Sequence, residues 1–263
     1  MQNESLDEGN RVPQLHVDDI TLQPTEVASA QVEVLDTPSW EEFRPRPRKP
    51  KTPFQKIPHS RFFIPGVIGV FLFTMASLYE TFSDKVSLVV SGQSIYQNVE
   101  LWRLFTALFV HADFSHLTMN SLYFLVFGWL LRSYFGSLYF PLLPLLIGVL
   151  SNAVTVYFYD PRVSLIGASG MVYGMVALWL VLYMKFDVNI KASMRLVRAF
   201  GYTLIMLIPS SYDPNTSYLA HTAGFSIGIV TGIMASPLAK LHDPISGEIS
   251  TPPPEPKPQW APA

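Results

Sequence analysis

Four polar side chains interrupt stretches of this chain that are otherwise apolar. They are Ser169 in Gly167-Ala168-Ser169-Gly170, His221 in Ala220-His221-Thr222-Ala223-Gly224, and His116 with Asn120 in His116-Leu117-Thr118-Met119-Asn120. Polar groups are costly in hydrocarbon, so such residues face a bundle interior or a water cavity and mark function by default. Their types suit acyl transfer. A serine hydroxyl is a weak nucleophile until a base takes its proton, and imidazole is the commonest base. Ser169 opens a helix, where backbone N–H groups lack intrahelical partners and the dipole favours negative charge, so its amide can hold an oxyanion. His116 and Asn120 are four residues apart, share a helix face, and can each donate a hydrogen bond, which suits a side-chain oxyanion hole. Asp160, Asp187 and Asp213 all fall in loops, so a Ser–His dyad is expected rather than a triad.

Each feature also has a plainer reading. Gly170 and Gly174 are a small-xxx-small packing pattern with Ser169 as a cap, His221 is a core histidine, and His116 with Asn120 is an interhelical hydrogen-bonded pair worth about 1 kcal/mol. Tyr173 lies one turn from Ser169 and either stacks on the imidazole or simply packs. Ala220, Gly224 and Gly228 recur every four residues, a smooth ridge that matches Gly170 and Gly174 and lets two helices approach closely. His111, His116 and His221 form no His-Glu-x-x-His pattern and have no intramembrane carboxylate beside them, so neither a metal nor a cofactor is expected.

The elements that must position these groups follow from composition. The chain has 263 residues, 49% hydrophobic and 14% charged, against about a quarter charged in soluble domains. The deficit begins after residue 61, the pattern of a polytopic membrane protein. Six spans are expected: Phe62 to Tyr79, Phe114 to Tyr134, Leu138 to Phe158, Ala168 to Met184, Leu196 to Ile208 and Tyr218 to Ala235. The fifth is short and carries Arg198. Residues 1–60 read as a disordered tail, acidic and then basic and Pro-rich (Arg44-Pro45-Arg46-Pro47-Arg48-Lys49-Pro50-Lys51), and 237–263 as a second disordered Pro-rich tail. The basic stretch reads as a cytoplasmic anchor attracted to anionic lipid. With no folded basic face, nucleic-acid binding is not expected. The acidic start resembles neither a cleavable signal nor a transit peptide, and without cysteine there is no thiol chemistry.

Lys185, Lys191, Arg195 and Arg198 lie between spans four and five, and Lys240 follows span six. With six spans these clusters share one side with the first basic stretch, as the positive-inside rule requires, and both tails are cytoplasmic. Spans two, four and six then run in the same direction. They begin with His116 and Asn120, Ser169, and His221, so three segments deliver polar groups to the same, external end. Sixteen residues separate Ser169 from Lys185, about 24 Å of helix in a hydrocarbon core about 30 Å thick. The preceding loop therefore dips roughly 6 Å below the outer surface, where only protein or water can satisfy its backbone.

Taken together these residues resemble the rhomboid intramembrane serine proteases. The resemblance runs from about Phe62 to Ala235. It includes Gly167-Ala168-Ser169-Gly170-Met171-Val172-Tyr173-Gly174, the histidine segment at His221, the His-x4-His-x3-Asn spacing of His111, His116 and Asn120, and Leu101-Trp102-Arg103 in the long first loop. It implies an all-α, six-helix bundle around a water-filled cavity over residues 61–236. It further implies Ser169 as nucleophile, His221 as general base and then acid, Tyr173 packed on His221, and His116, Asn120 and the Ser169 amide as oxyanion donors. The implied substrates are transmembrane segments of other membrane proteins, cut near their outer end, with a cell (inner) membrane as the site. The alternative is an inactive rhomboid-like protein that escorts membrane clients; such relatives generally lack the serine or the histidine, both present here.

Overall fold

A bilayer offers the backbone no hydrogen bonds, so long apolar segments satisfy their own as helices. The computed structural model describes residue 54 and residues 56–83, 85–210 and 217–249, with backbone alone for 202–210. All fall in the second of the chain's two units, residues 50–263. The expected anchor at 44–51, the acidic tail, Asp213 and residues 250–263 lie outside the described residues.

The α-helices are α1 (Ile64–Phe82), α2 (Gly92–Tyr96), α3 (Arg103–Thr106), α4 (Phe114–Phe135), α5 (Leu143–Phe158), α6 (Ser169–Phe186), α7 (Ala192–Ser210) and α8 (Tyr218–Ala235). Strands β1 (Val90–Ser91) and β2 (Ser164–Leu165) pair antiparallel, Val90 opposite Leu165 and Ser91 opposite Ser164. Five helical segments among the described residues are long and apolar enough to cross a membrane: Ser60–Phe82, Phe114–Phe135, Leu138–Phe158, Ser169–Phe186 and Tyr218–Ala235. The chain is thus a multi-pass integral membrane protein. The fifth expected span falls in α7, whose side chains past Gly201 lie outside the described residues.

Local chemistry sets the helix ends. Asp113 caps α4 by accepting from the His116 amide at 2.8 Å, and Gly136 ends it at φ +85°, a backbone shape that costs glycine little. Ser217 caps α8 by accepting from the Ala220 amide at 3.2 Å. The third span is not one continuous rod. Phe140 has φ −159° and ψ 123° inside the expected helix, and regular α5 starts only at Leu143. Pro141 has no N–H to donate and its ring clashes with a preceding helical turn.

The central helix is α6. Two thirds of its span, 67%, is buried inside the protein, against 17% for Ser60–Phe82. Lipid tails are as apolar as leucine, so close packing rather than hydrophobic exclusion joins these helices. A Cβ on Gly170 would sit 3.2 Å from the Ala220 carbonyl oxygen, one on Gly174 2.9 Å from that of Gly224, and one on Gly228 2.9 Å from the Ala177 Cβ. These contacts ascend together along both chains, so α6 and α8 are parallel. Helix α4 is parallel as well. The His116 ring touches Gly167 just before α6, while at the other end Phe135 packs on Trp179 and Phe186, with centroids 6.1 and 5.4 Å apart. The shared direction expected for spans two, four and six is therefore present. Helix α5 runs antiparallel between α6 and α8, and α1 lies antiparallel on α4, its Gly66 and Gly69 facing Leu125 and Phe124.

At the end remote from Ser169, chain segments on either side of the bundle join. The Phe54 ring packs on Tyr134, Trp179 and Tyr183, with centroids 4.9, 5.6 and 5.8 Å apart. Tyr134 donates its hydroxyl to the Lys56 carbonyl at 2.8 Å, Lys56 pairs with Asp243 at 2.5 Å, and the His242 amide donates to the Tyr134 carbonyl at 2.8 Å. The Lys56 hydrogen bond, followed by the Ile245 amide, holds the Asp243 carboxyl below its ordinary value. Residues 237–249, read from sequence as part of a tail, thus pack on the helix ends as far as the bridge between His242 and Ile249.

Candidate active site

The approach to Ser169 is built from backbone. The β1–β2 pair holds Leu165, and the Gly167 amide donates to the Ala107 carbonyl at 2.9 Å. Gly167 has φ +107°, and a Cβ there would lie 2.6 Å from His116 Cε1 and 2.8 Å from its Nε2. Both the backbone shape and the imidazole pressed on it require glycine. The chain then enters α6 at Ser169 with Ala168 as N-cap and no side-chain cap. The first intrahelical bond of the segment runs from the Val172 amide to the Ala168 carbonyl, 2.9 Å. The amides of Ser169, Gly170 and Met171 precede it, at the positive end of the helix dipole. Ser169 itself is half-buried, shielded yet reachable.

His221 is 9% exposed in the first turn of α8. Its ring stacks on Tyr173, centroids 4.1 Å apart and planes 14° from parallel. Tyr173 is one turn from Ser169 on α6, and the glycine contacts bring the same turns of α6 and α8 together. The stack therefore fixes the imidazole plane at the level of Ser169.

His116 and Asn120 come from α4. His116 lies against Gly167, two residues before Ser169, and meets the His111 ring edge-on at 5.1 Å. Asn120 is 6% exposed, and its Nδ2 is buried with no protein acceptor among the described residues. A buried amide with an unused donor is costly unless something else accepts from it. All four residues singled out from sequence thus sit at one end of the parallel trio α4, α6 and α8.

Asp160, the acidic residue in the loop leading to β2, is held elsewhere. Side-chain hydrogen bonds from Arg162, then its backbone amide, draw the carboxyl below its ordinary value. A set of polar residues on α5 carries little weight in a hydropathy profile: Ser151, Asn152 and Thr155 are buried, and Asn152 donates to the Leu104 carbonyl at 2.9 Å. Three polar residues within one turn of an apolar span were the available signal.

Residues 98–238, more than half of the chain, match the Rhomboid domain family. The chain is 28% identical over 148 residues to Rhomboid-related protein 3 of Homo sapiens, a match covering 51% of this chain and 36% of that protein. It is 26% identical over 142 residues to RHOMBOID-like protein 6, mitochondrial, of Arabidopsis thaliana, covering 54% and 46%. It is 29% identical over 140 residues to YdcA of Bacillus subtilis (strain 168), covering 52% and 68%. The chain spans less than half the length of the first two relatives.

Proposed function

Because the chain belongs to the rhomboid family, we propose that it is an intramembrane serine endopeptidase that cleaves transmembrane segments of other membrane proteins near their outer end. The observation that carries this reading is the convergence of Ser169, His221, His116 and Asn120 at one end of three parallel helices, with the His221 ring held flat on Tyr173. In this mechanism the Ser169 hydroxyl attacks the scissile carbonyl while His221 takes its proton. The negative oxygen of the tetrahedral intermediate accepts from the Ser169 amide, His116 and the otherwise unused Asn120 Nδ2. His221 returns the proton to the departing amine, leaving an acyl-serine that water hydrolyses in the same way. Tyr173 fixes the imidazole plane, the task that a carboxylate performs in a triad. A substrate helix must open to expose its carbonyl, so glycine or proline near the cut favours cleavage.

The direct test is a reporter protein with one transmembrane segment, reconstituted with the full chain in liposomes. Cleavage near the segment's outer end is expected, and an intact reporter rejects the reading. Asn120→Ala removes one oxyanion donor and should lower turnover about 10- to 1,000-fold; an unchanged rate assigns Asn120 to packing alone.

We place both termini on the cytoplasmic side, with α7 as the sixth span and the Ser169 end of the bundle outward. The basic residues support this: Lys185 and Arg195 lie at the end opposite Ser169, their side chains donating to the Ser236 and Met184 carbonyls. A reporter fused after Ala263 should read as cytoplasmic. An external signal would remove α7 from the count.

A further inference from the structure

Helix α5 carries none of the residues assigned above, yet it holds a fully buried hydroxyl beside both reacting helices. The Ser151 Oγ donates to the Ala220 carbonyl at 2.8 Å, one residue before His221. A Cβ on Gly170, one residue after Ser169, would lie 3.1 Å from the Ser151 Cβ and 3.2 Å from the Ala220 oxygen. Ser151, Gly170 and Ala220 thus meet at one point, where α5, α6 and α8 touch. Thr155 is also fully buried, and its hydroxyl donates to the Ser151 carbonyl at 2.8 Å.

A second tie lies at Tyr159, the residue that follows the end of α5. The Tyr159 hydroxyl and the Ser217 hydroxyl are 2.9 Å apart. Ser217 is the residue that caps α8 through the Ala220 amide. The Tyr159 ring packs on the cluster of Val90, Ala107, Val156 and Leu165, which includes one residue from each strand of the pair leading to Ser169. One side chain therefore joins the apolar cluster that includes Leu165 of β2 to the cap of the helix bearing the histidine.

We propose that Ser151 and Tyr159 are positioning residues that set the first turn of α8, and with it His221, against the start of α6. The proposal rests on the dyad reading above. Near-attack geometry tolerates little error, since a displacement of about 1 Å can cost on the order of 100-fold in rate. A packed glycine ridge limits separation of α6 and α8, but a smooth ridge resists sliding poorly. Hydrogen bonds to the Ala220 carbonyl and to Ser217 supply the directional restraint that the ridge lacks.

The molecule supplies its own control. The Tyr139 hydroxyl donates to the Ala235 carbonyl at 2.8 Å, the same kind of bond to the same helix at its opposite end. The full chain in liposomes is compared as wild type, Ser151→Ala, Tyr159→Phe, Tyr139→Phe and Ser169→Ala. Readouts are kcat and KM for the reporter, the rate of Ser169 labelling by a fluorophosphonate across pH, and Tm. Ser151→Ala and Tyr159→Phe should each lower kcat and labelling about tenfold with KM held within about twofold. Tyr139→Phe should lower Tm comparably and leave kcat and labelling near wild type. Wild-type kcat in both Ser151→Ala and Tyr159→Phe, beside an inactive Ser169→Ala, overturns the positioning role and leaves the dyad standing. Equal loss of kcat in Tyr139→Phe overturns it too, because the hydroxyls then act through stability alone. A wild type that neither cleaves nor takes the label sinks the dyad reading and this inference with it. Should Ser151→Ala fail to fold, the half-buried Tyr159 carries the same test.

Discussion

Ser169→Ala is expected to abolish reporter cleavage, and His221→Ala is expected to abolish it as well. The size of the effect follows from the roles. Losing a nucleophile or its base in a serine hydrolase lowers kcat on the order of a million-fold, and the two losses do not add because the groups act as a unit. The double variant should therefore be no worse than either single one. Neither change should unfold the protein. Ser169 is half-buried at a helix start, and His221→Ala leaves the Gly224 and Gly228 contacts untouched. Fluorophosphonate labelling follows the proposed chemical step without a substrate: Ser169→Ala should take no label, and His221→Ala should take it far more slowly than wild type. Cleavage at the wild-type rate by either variant, measured by reporter turnover in liposomes, would dissolve the assignment.

Gly224→Ala should also be damaging, although a glycine has no side chain to take part in the chemistry. A Cβ at that position would overlap the Gly170 carbonyl oxygen and lie 2.7 Å from its carbon and 2.9 Å from the Gly170 Cα. Every one of those atoms is backbone in the first turn of α6, so no side-chain rotation relieves the overlap. The helices must separate at the level of Ser169 and His221, and turnover should fall by about 100-fold or more with a lower Tm. Gly66→Ala is the comparison. A Cβ there meets the tip of Leu125 at 3.0 Å, a flexible side chain that can turn aside, and activity should stay near wild type. Equal activity for Gly224→Ala and wild type would show that close approach of α6 and α8 is dispensable.

The parts legible in the sequence were those that depend on counting along the chain. The starts at Phe114 and Tyr218 and the end at Phe158 fall where apolar runs meet caps or loops. The common direction of α4, α6 and α8 followed from where lysine and arginine sit, because charge on one side of a bilayer fixes parity. The ridge of Ala220, Gly224 and Gly228 announced a tight neighbour, and Gly170 and Gly174 are that neighbour. What escaped depends on who faces whom. Hydropathy scores Ser151 and Asn152 as mild blemishes in an apolar run, yet their acceptors are on α8 and α3, 69 and 48 residues away. The break at Phe140 was hidden because Pro141 and Pro144 read equally well as the opening of a helix. The contact of Phe54 with Tyr134 and Trp179 was hidden for another reason: one aromatic after a basic, proline-rich stretch has no periodicity to betray it.

The pairing of Lys56 with Asp243 bears on how the protein can be trimmed. The stretch that matches the family stops at residue 238, but the fold's own seam closes farther out, between Phe54 and Ile249. A fragment that stops at residue 238 would lose Asp243, the partner of Lys56, and the His242 amide that donates to the Tyr134 carbonyl, and should aggregate more readily during purification than one that keeps them. A fragment that keeps these contacts therefore includes both Phe54 and Ile249.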